Sequence, residues 1–236
     1  NYIWAYPWIA AVLWRLERYL ADRSFRRGAL LGASISMLFL AGVPQFVFFA
    51  ALLAGARLMV PGTEGRRGVA AWLMLGILFC APQLFPTLEL AGEMQRGGAD
   101  DPVFLADYSM PVENLATMVS PAWFGDGVGT PYRGRSHLWE SCAFVGISTL
   151  LLAGAAFAGN HRQRYLWLGV AAAGLFLALG YVPIAGLGLF RGPGRYLVVF
   201  TVAAAALAAL GFDALRWRRV AAALAVIAAI ELVAFG

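Results

Sequence analysis

Lysine is absent from this 236-residue chain, so all 18 of its basic residues are arginines. Cysteine and histidine occur twice each, and only 13% of the residues are charged. Each shortage excludes something. The glycine-rich stretch around Gly125, Gly127, Gly129 and Gly134 is followed by no Gly-Lys-Ser/Thr, so it is no P-loop. Cys80 and Cys142 make a disulfide only if their Cα atoms approach within about 7 Å; the plainer expectation is two small apolar side chains packed in a core. Asp100, Asp101, Asp107, Asp126 and His137 are available metal ligands, but no ligand spacing recurs among them. No cofactor is expected, a divalent metal being the unsupported alternative.

Apolar residues, in contrast, are abundant. They make up 61% of the chain, against about 45–50% in an ordinary soluble domain. Mean hydropathy is +0.72. The net charge of +5 would point to nucleic acid if the arginines lined one polar face. They lie instead in short clusters beside apolar runs, where they orient the chain and meet anionic headgroups, so nucleic acid is not an expected partner. The clusters are Arg15, Arg18, Arg23, Arg26 and Arg27; then Arg57, Arg66 and Arg67; then Arg162 and Arg164; then Arg216, Arg218 and Arg219. Two apolar crossings separate each cluster from the next. With all four in the cytoplasm, short loops obey the bias of positive charge toward the inside.

The sequence therefore predicts an all-α polytopic membrane bundle of about seven or eight transmembrane helices. Its parts are membrane helices over 1–82, an extracytoplasmic loop over 83–139 with an interfacial helix, and membrane helices over 140–236. The first apolar run, from Tyr2 to Trp14, carries aromatic rings where a signal peptide would carry positive charge. With no initiator methionine ahead of it, the run reads as a truncated span and the chain as a fragment. Gly28 to Val60 is broken at Gly42-Val43-Pro44-Gln45 and reads as a hairpin whose short arms cross in part or in full, both ends returning to the same side either way. Ala81-Pro82-Gln83-Leu84-Phe85 echoes that break. At each one the glutamine amide either caps carbonyls freed by proline or touches a ligand, capping being the first choice. Further spans are expected over Ser141 to Ala158, Leu166 to Val182, Tyr196 to Phe212 and Val220 to Phe235.

Most acidic residues fall in the external segment. Pro86 to Arg96 reads as an interfacial helix that brings Glu89 and Glu93 together, either as a solvated face paired to Arg96 or as a carboxylate pair able to act as a base or share a metal. Trp123 and Tyr132 flank the glycines of 125–134 and offer rings on which a sugar can stack. Glu140 follows where a new span begins; a carboxylate at that depth needs a partner, and Arg133, Arg135 and Arg191 are the candidates. Phe190-Arg191-Gly192-Pro193-Gly194-Arg195-Tyr196 sets two arginines on the outer face, against the charge bias. Guanidinium groups hold phosphate bidentately, so Arg191 and Arg195 are candidates for a lipid-carrier phosphate, with headgroup snorkelling as the plain alternative.

The order of Ala41-Gly42-Val43-Pro44-Gln45, Ala81 to Leu90, Pro111 to Leu115, Ser120-Pro121-Ala122-Trp123-Phe124-Gly125, Trp139-Glu140 with Phe144-Val145-Gly146, and Phe190 to Tyr196 resembles the YfhO-like family of bacterial membrane proteins. Val43 stands where that family often has a histidine. The resemblance implies a C-type glycosyltransferase-like fold in the bacterial cell membrane. It also implies a polyprenyl-phosphate sugar as donor and transfer to a cell-envelope acceptor on the extracytoplasmic side. The catalytic acidic residue of such folds would lie in a loop before Asn1. Within the chain the resemblance implies a supporting shell: Glu89 and Glu140 orienting sugar or arginine, Trp123 and Tyr132 stacking, Arg191 and Arg195 on phosphate. A lipid or solute transporter and a non-catalytic membrane scaffold are the other expectations. Transporters carry charges at mid-span, whereas here they crowd the segment outside the apolar runs.

Overall fold

The protein is seen in a computed structural model that describes residues 2–93, 108–180 and 192–235. Among the described residues all regular structure is helical. The chain forms two units, Asn1–Gly97 and Gly98–Gly236. Residues 83–139, set apart as one segment by composition, are thus divided between them.

In the first unit α1 (Tyr2–Ala21) buries Ala5, Ile9, Val12, Leu16 and Tyr19, a stripe repeating every three or four residues that seats the helix against α2 (Phe25–Leu40) and α3 (Pro44–Leu58). The break between α2 and α3 falls where the sequence predicts a hairpin. Gly42 turns the chain with φ of 80°, and Pro44 opens α3, where its missing N–H is no loss. Phe46, Phe49 and Leu53 of α3 are fully buried, each contributing roughly 1.5–3 kcal/mol of apolar burial. Next, α4 (Arg66–Phe79) lies close on α2. Gly32 and Gly76 meet backbone to backbone, and the buried Ser36 hydroxyl donates to the Gly76 carbonyl at 2.8 Å. After a break at Cys80, α5 (Ala81–Glu93) begins five residues before the helix expected from Pro86. The Cys80 carbonyl accepts the N–H groups of Gln83 and Leu84, so the turn forms ahead of that proline.

The second unit is built around α9 (Leu197–Ala214), which buries Val198, Val199, Phe200, Ala203, Ala204 and Leu207. It packs on α7 (Ile147–Ala155) and α8 (Gln163–Ala178). Glycines permit both approaches: Gly211 abuts the Leu152 carbonyl, and a side chain on Gly174 would lie 2.8 Å from the Phe200 nitrogen. The last helix, α10 (Arg218–Phe235), leans on α7, and its Glu231 accepts the Ser148 N–H at 3.1 Å in the first turn of α7. Before them, the 3-10 segment Val112–Met118 is tied to the short α6 (Leu138–Ser141) and to the residues just after it. Asn114 donates to the Ser141 carbonyl at 3.2 Å, and the Thr117 hydroxyl accepts the Ala143 N–H at 2.9 Å.

The predicted bundle of seven or eight membrane crossings is corrected by these helices. Among the described residues only Pro193–Ala214 is long and apolar enough to cross a bilayer, and it is half buried in its own unit. Arg66–Phe79 with Ala81–Leu90 makes a second only if a pair bent by 69° counts as one span. For most of the helices the reason is length, whereas α10, 18 residues long, carries three charges, Arg218, Arg219 and Glu231. With 16, 15, 14 and 16 residues, α2, α3, α4 and α8 reach about 21–24 Å at 1.5 Å per residue, short of the roughly 30 Å of hydrocarbon. The nine residues of α7 reach less. Long apolar runs in the sequence are thus interrupted in space. Cys80 is buried, Cys142 half-buried, and both are free thiols.

Candidate functional site

A buried carboxylate of the second unit is that of Glu140, on α6. Its side chain is 9% exposed and its Oε1 accepts from Nη2 of Arg195 at 2.9 Å, with Arg195 itself 23% exposed. Arg195 comes from the 3-10 turn Pro193–Tyr196, which leads directly into α9. That turn is held in place by backbone: the Gly194 N–H donates to the Tyr108 carbonyl at 2.9 Å, and the Arg195 N–H to the Gly192 carbonyl at 3.1 Å. Gly192 has φ of 80°, and a side chain there would stand 3.2 Å from Oε2 of Glu140. Oε2 is buried and has no hydrogen-bond partner among the described residues. An acceptor of that kind keeps its full desolvation cost unless something donates to it.

Aromatic rings adjoin the pair. Tyr108 stacks on His137 with centroids 5.0 Å apart, and His137 on Trp139 at 5.8 Å. Trp139 is 78% exposed, a large ring open to a partner immediately before Glu140. The neighbouring loop is folded on itself: Arg133 N–H donates to the Phe124 carbonyl, and Asp126 Oδ1 accepts the N–H groups of Val128, Gly129 and Thr130 at 2.7–3.0 Å. Those amides hold the Asp126 carboxyl below its ordinary value and use it up within the loop. Leu138 of α6 lies against this loop at Gly127. Arg135 grips both oxygens of Glu113, at 2.5 and 2.8 Å.

The predicted site residues thus separate. Glu140 and Arg195 meet. Neither Arg133 nor Arg135 supplies the partner expected for Glu140, since Arg135 is taken by Glu113; Arg191, the third candidate, lies outside the described residues, as do Arg96, Asp100, Asp101 and Asp107. Trp123 is 62% exposed at the start of the folded loop. Tyr132 is half-buried, its hydroxyl without a hydrogen-bond partner among the described residues. Glu89 is exposed on α5 of the first unit. The contribution of Tyr108 went unnoticed in the sequence, because nothing near it announces that its carbonyl and ring serve a turn far along the chain. No metal-holding group of three or more histidine, cysteine, aspartate or glutamate residues occurs among the described residues.

No family model, curated protein or solved structure matches this chain. None of these comparisons identifies the YfhO-like family.

The geometry itself defines a capability. A fixed guanidinium presents planar donors to an oxyanion, a carboxylate oxygen seeks a hydroxyl or N–H donor, and an open indole offers an apolar face. That combination fits a ligand with a phosphate at one end and hydroxyl groups beside an apolar ring face.

Proposed function

We propose that the chain is part of a membrane glycosyltransferase that moves a sugar from a polyprenyl-phosphate carrier to a cell-envelope acceptor at a bacterial cell membrane. The observation that carries this reading is the Glu140–Arg195 pair beside the exposed Trp139. In it Arg195 meets the carrier phosphate, Oε2 of Glu140 accepts a sugar hydroxyl, and Trp139 with Trp123 covers the sugar face. The reaction is displacement at the anomeric carbon: the acceptor hydroxyl oxygen bonds to that carbon as the bond to the phosphate oxygen breaks, the hydroxyl proton passes to the departing phosphate, and the remaining charge on that phosphate is neutralised by Arg195. Glu140 is a positioning residue, since it also holds the guanidinium plane.

The test is release of free polyprenyl phosphate from a labelled lipid-linked sugar by the intact protein in lipid. R195K keeps the charge and loses the fork, so turnover is expected to fall about 10–100-fold with the fold retained. Absence of release by the unaltered protein overturns the proposal.

A second reading, passage of a lipid or polar solute, has one observation in its favour, the 69° bend between Arg66–Phe79 and Ala81–Leu90. Movement of the labelled lipid across a vesicle membrane with its sugar bond intact would select it.

A further inference from the structure

Where α1 ends and α2 begins, the surface carries a half-open cavity of about 330 Å³. Its walls carry Arg15 and Arg18 from α1 and Arg26 and Arg27 from α2, against a single carboxylate, Asp22. The spacing explains the convergence. Arg15 and Arg18 are one helical turn apart on the last turns of α1, while Arg26 and Arg27 are adjacent in the first turn of α2, and only three residues separate the helices.

The carboxylates nearby are already committed. Glu17 pairs with Arg57, Glu64 with Arg23 at 2.6 Å, and Asp22 with Arg27 at 3.2 Å. Arg27 further donates to the Arg18 carbonyl at 3.0 Å, so it braces the turn between the helices. What remains is Arg15, Arg18 and Arg26, with no carboxylate within 4 Å among the described residues. Arg15 is steadied instead by the Trp14 ring, 4.3 Å from its guanidinium carbon. Three like charges around one small space repel one another, and cations in the first turn of a helix oppose its dipole. An anion in the cavity removes both penalties.

We infer that this cavity binds a phosphate group through Arg15, Arg18 and Arg26. Each guanidinium offers a planar pair of donors matched to phosphate oxygens, and the Ser24 hydroxyl on the wall adds a neutral donor. The volume lies at the small end of ligand sites, enough for a phosphate and the first atoms attached to it. Leu30 gives those atoms an apolar wall. A soluble phosphate ester and an anionic lipid headgroup share this chemistry of capture, and the experiment distinguishes them. The site lies in the first unit and does not depend on the transferase reading.

The experiment uses the full unaltered chain. Arginines are modified with phenylglyoxal and quantified by mass spectrometry with and without inorganic pyrophosphate, and separately with vesicles of phosphatidylglycerol or of phosphatidylcholine. Protection of Arg15, Arg18 and Arg26 by pyrophosphate identifies a soluble phosphate ligand. Protection by phosphatidylglycerol vesicles, with none from pyrophosphate or phosphatidylcholine, identifies the headgroup. With pyrophosphate the exposed Arg216 and Arg219 are expected to stay as reactive as before. The paired variants R18Q/R26Q and R216Q/R219Q remove equal charge. The first is expected to weaken binding of the protecting probe about tenfold or more and the second by less than about twofold. Protection by no probe, or equal protection of Arg216 and Arg219 by pyrophosphate, overturns the inference, as does equal weakening by the two variants.

Discussion

Glu113 and Arg135 form the pair whose titration is most sharply defined. Two guanidinium hydrogen bonds, helped by the backbone N–H of Glu113 itself, bring its carboxyl from 4.5 to about 2. A depressed folded value means that the pair favours the folded state fully above pH 4.5 and loses that effect as the pH falls toward about 2. In R135Q the Glu113 midpoint, followed by carbon-detected NMR, is expected to return to the ordinary carboxylate range near about 4.3. A midpoint still near 2 would assign the shift to the backbone alone. The same pair explains what sequence could and could not say about the candidate site. That Glu140 needs an arginine is legible from a lone carboxylate entering an apolar run. Which arginine is not, because Arg135 turns to a glutamate 22 residues before it, while Arg195 arrives from 55 residues after Glu140. Local spacing contains neither distance.

The helices α2 and α4 show a different kind of legibility. Gly28, Gly32 and Ser36 recur every fourth residue along α2, as do Trp72, Gly76 and Cys80 along α4 and its cap, and these two rows face each other. Small residues allow the backbones to touch, so the Ser36 hydroxyl reaches a carbonyl of the other helix and the Cys80 thiol lies 3.5 Å from the Ser36 carbonyl. A Cβ at position 76 would collide with the Gly32 carbonyl. Since that obstacle is backbone, no rotamer change relieves it, and G76A is expected to destabilise by about 1–3 kcal/mol, read from the thermal or denaturant midpoint. G55A is the control: Gly55 has open space where its Cβ would go, so the same substitution there should be neutral or slightly stabilising. Equal losses at both positions would show that the α2–α4 contact is not the cause. The helix start at Pro44 could be read from proline chemistry, but the start of α5 at Ala81 and its continuation through Pro86 could not. There the Thr87 side-chain hydroxyl donates to the Gln83 carbonyl at 2.7 Å, beside a proline that has no N–H to offer the helix.

Over the whole chain the discrepancy is between hydrophobicity, which the sequence displays, and span length, which it hides. The expected spans fold as the short helices α2, α3, α4, α7 and α8, so fewer cross than the apolar composition suggests, although the apolar surface remains. That surface is extensive. On α4 and α5 Leu78, Phe79, Phe85 and Leu88 are all more than half exposed, and on α10 so are Val226, Ile230, Val233 and Phe235. α10 buries only Ala221. Polar water would leave each such side chain unpaid for roughly 1.5–3 kcal/mol of transfer free energy, and contiguous apolar faces of this kind mark contact with lipid or another protein. The membrane setting of the proposed transferase therefore has a consequence that does not depend on how many helices cross. Purified full chain should remain monodisperse in detergent or lipid nanodiscs, and should associate when the amphiphile is removed, followed by light scattering. Placing charge on the α10 face, as in I230K/V233K, should weaken vesicle association about tenfold while leaving helix content unchanged, since neither side chain is packed inside its own unit. A chain that stays monomeric in plain buffer, with no affinity for vesicles, would remove the lipid surface from the account and with it the carrier-linked sugar proposed for Arg195.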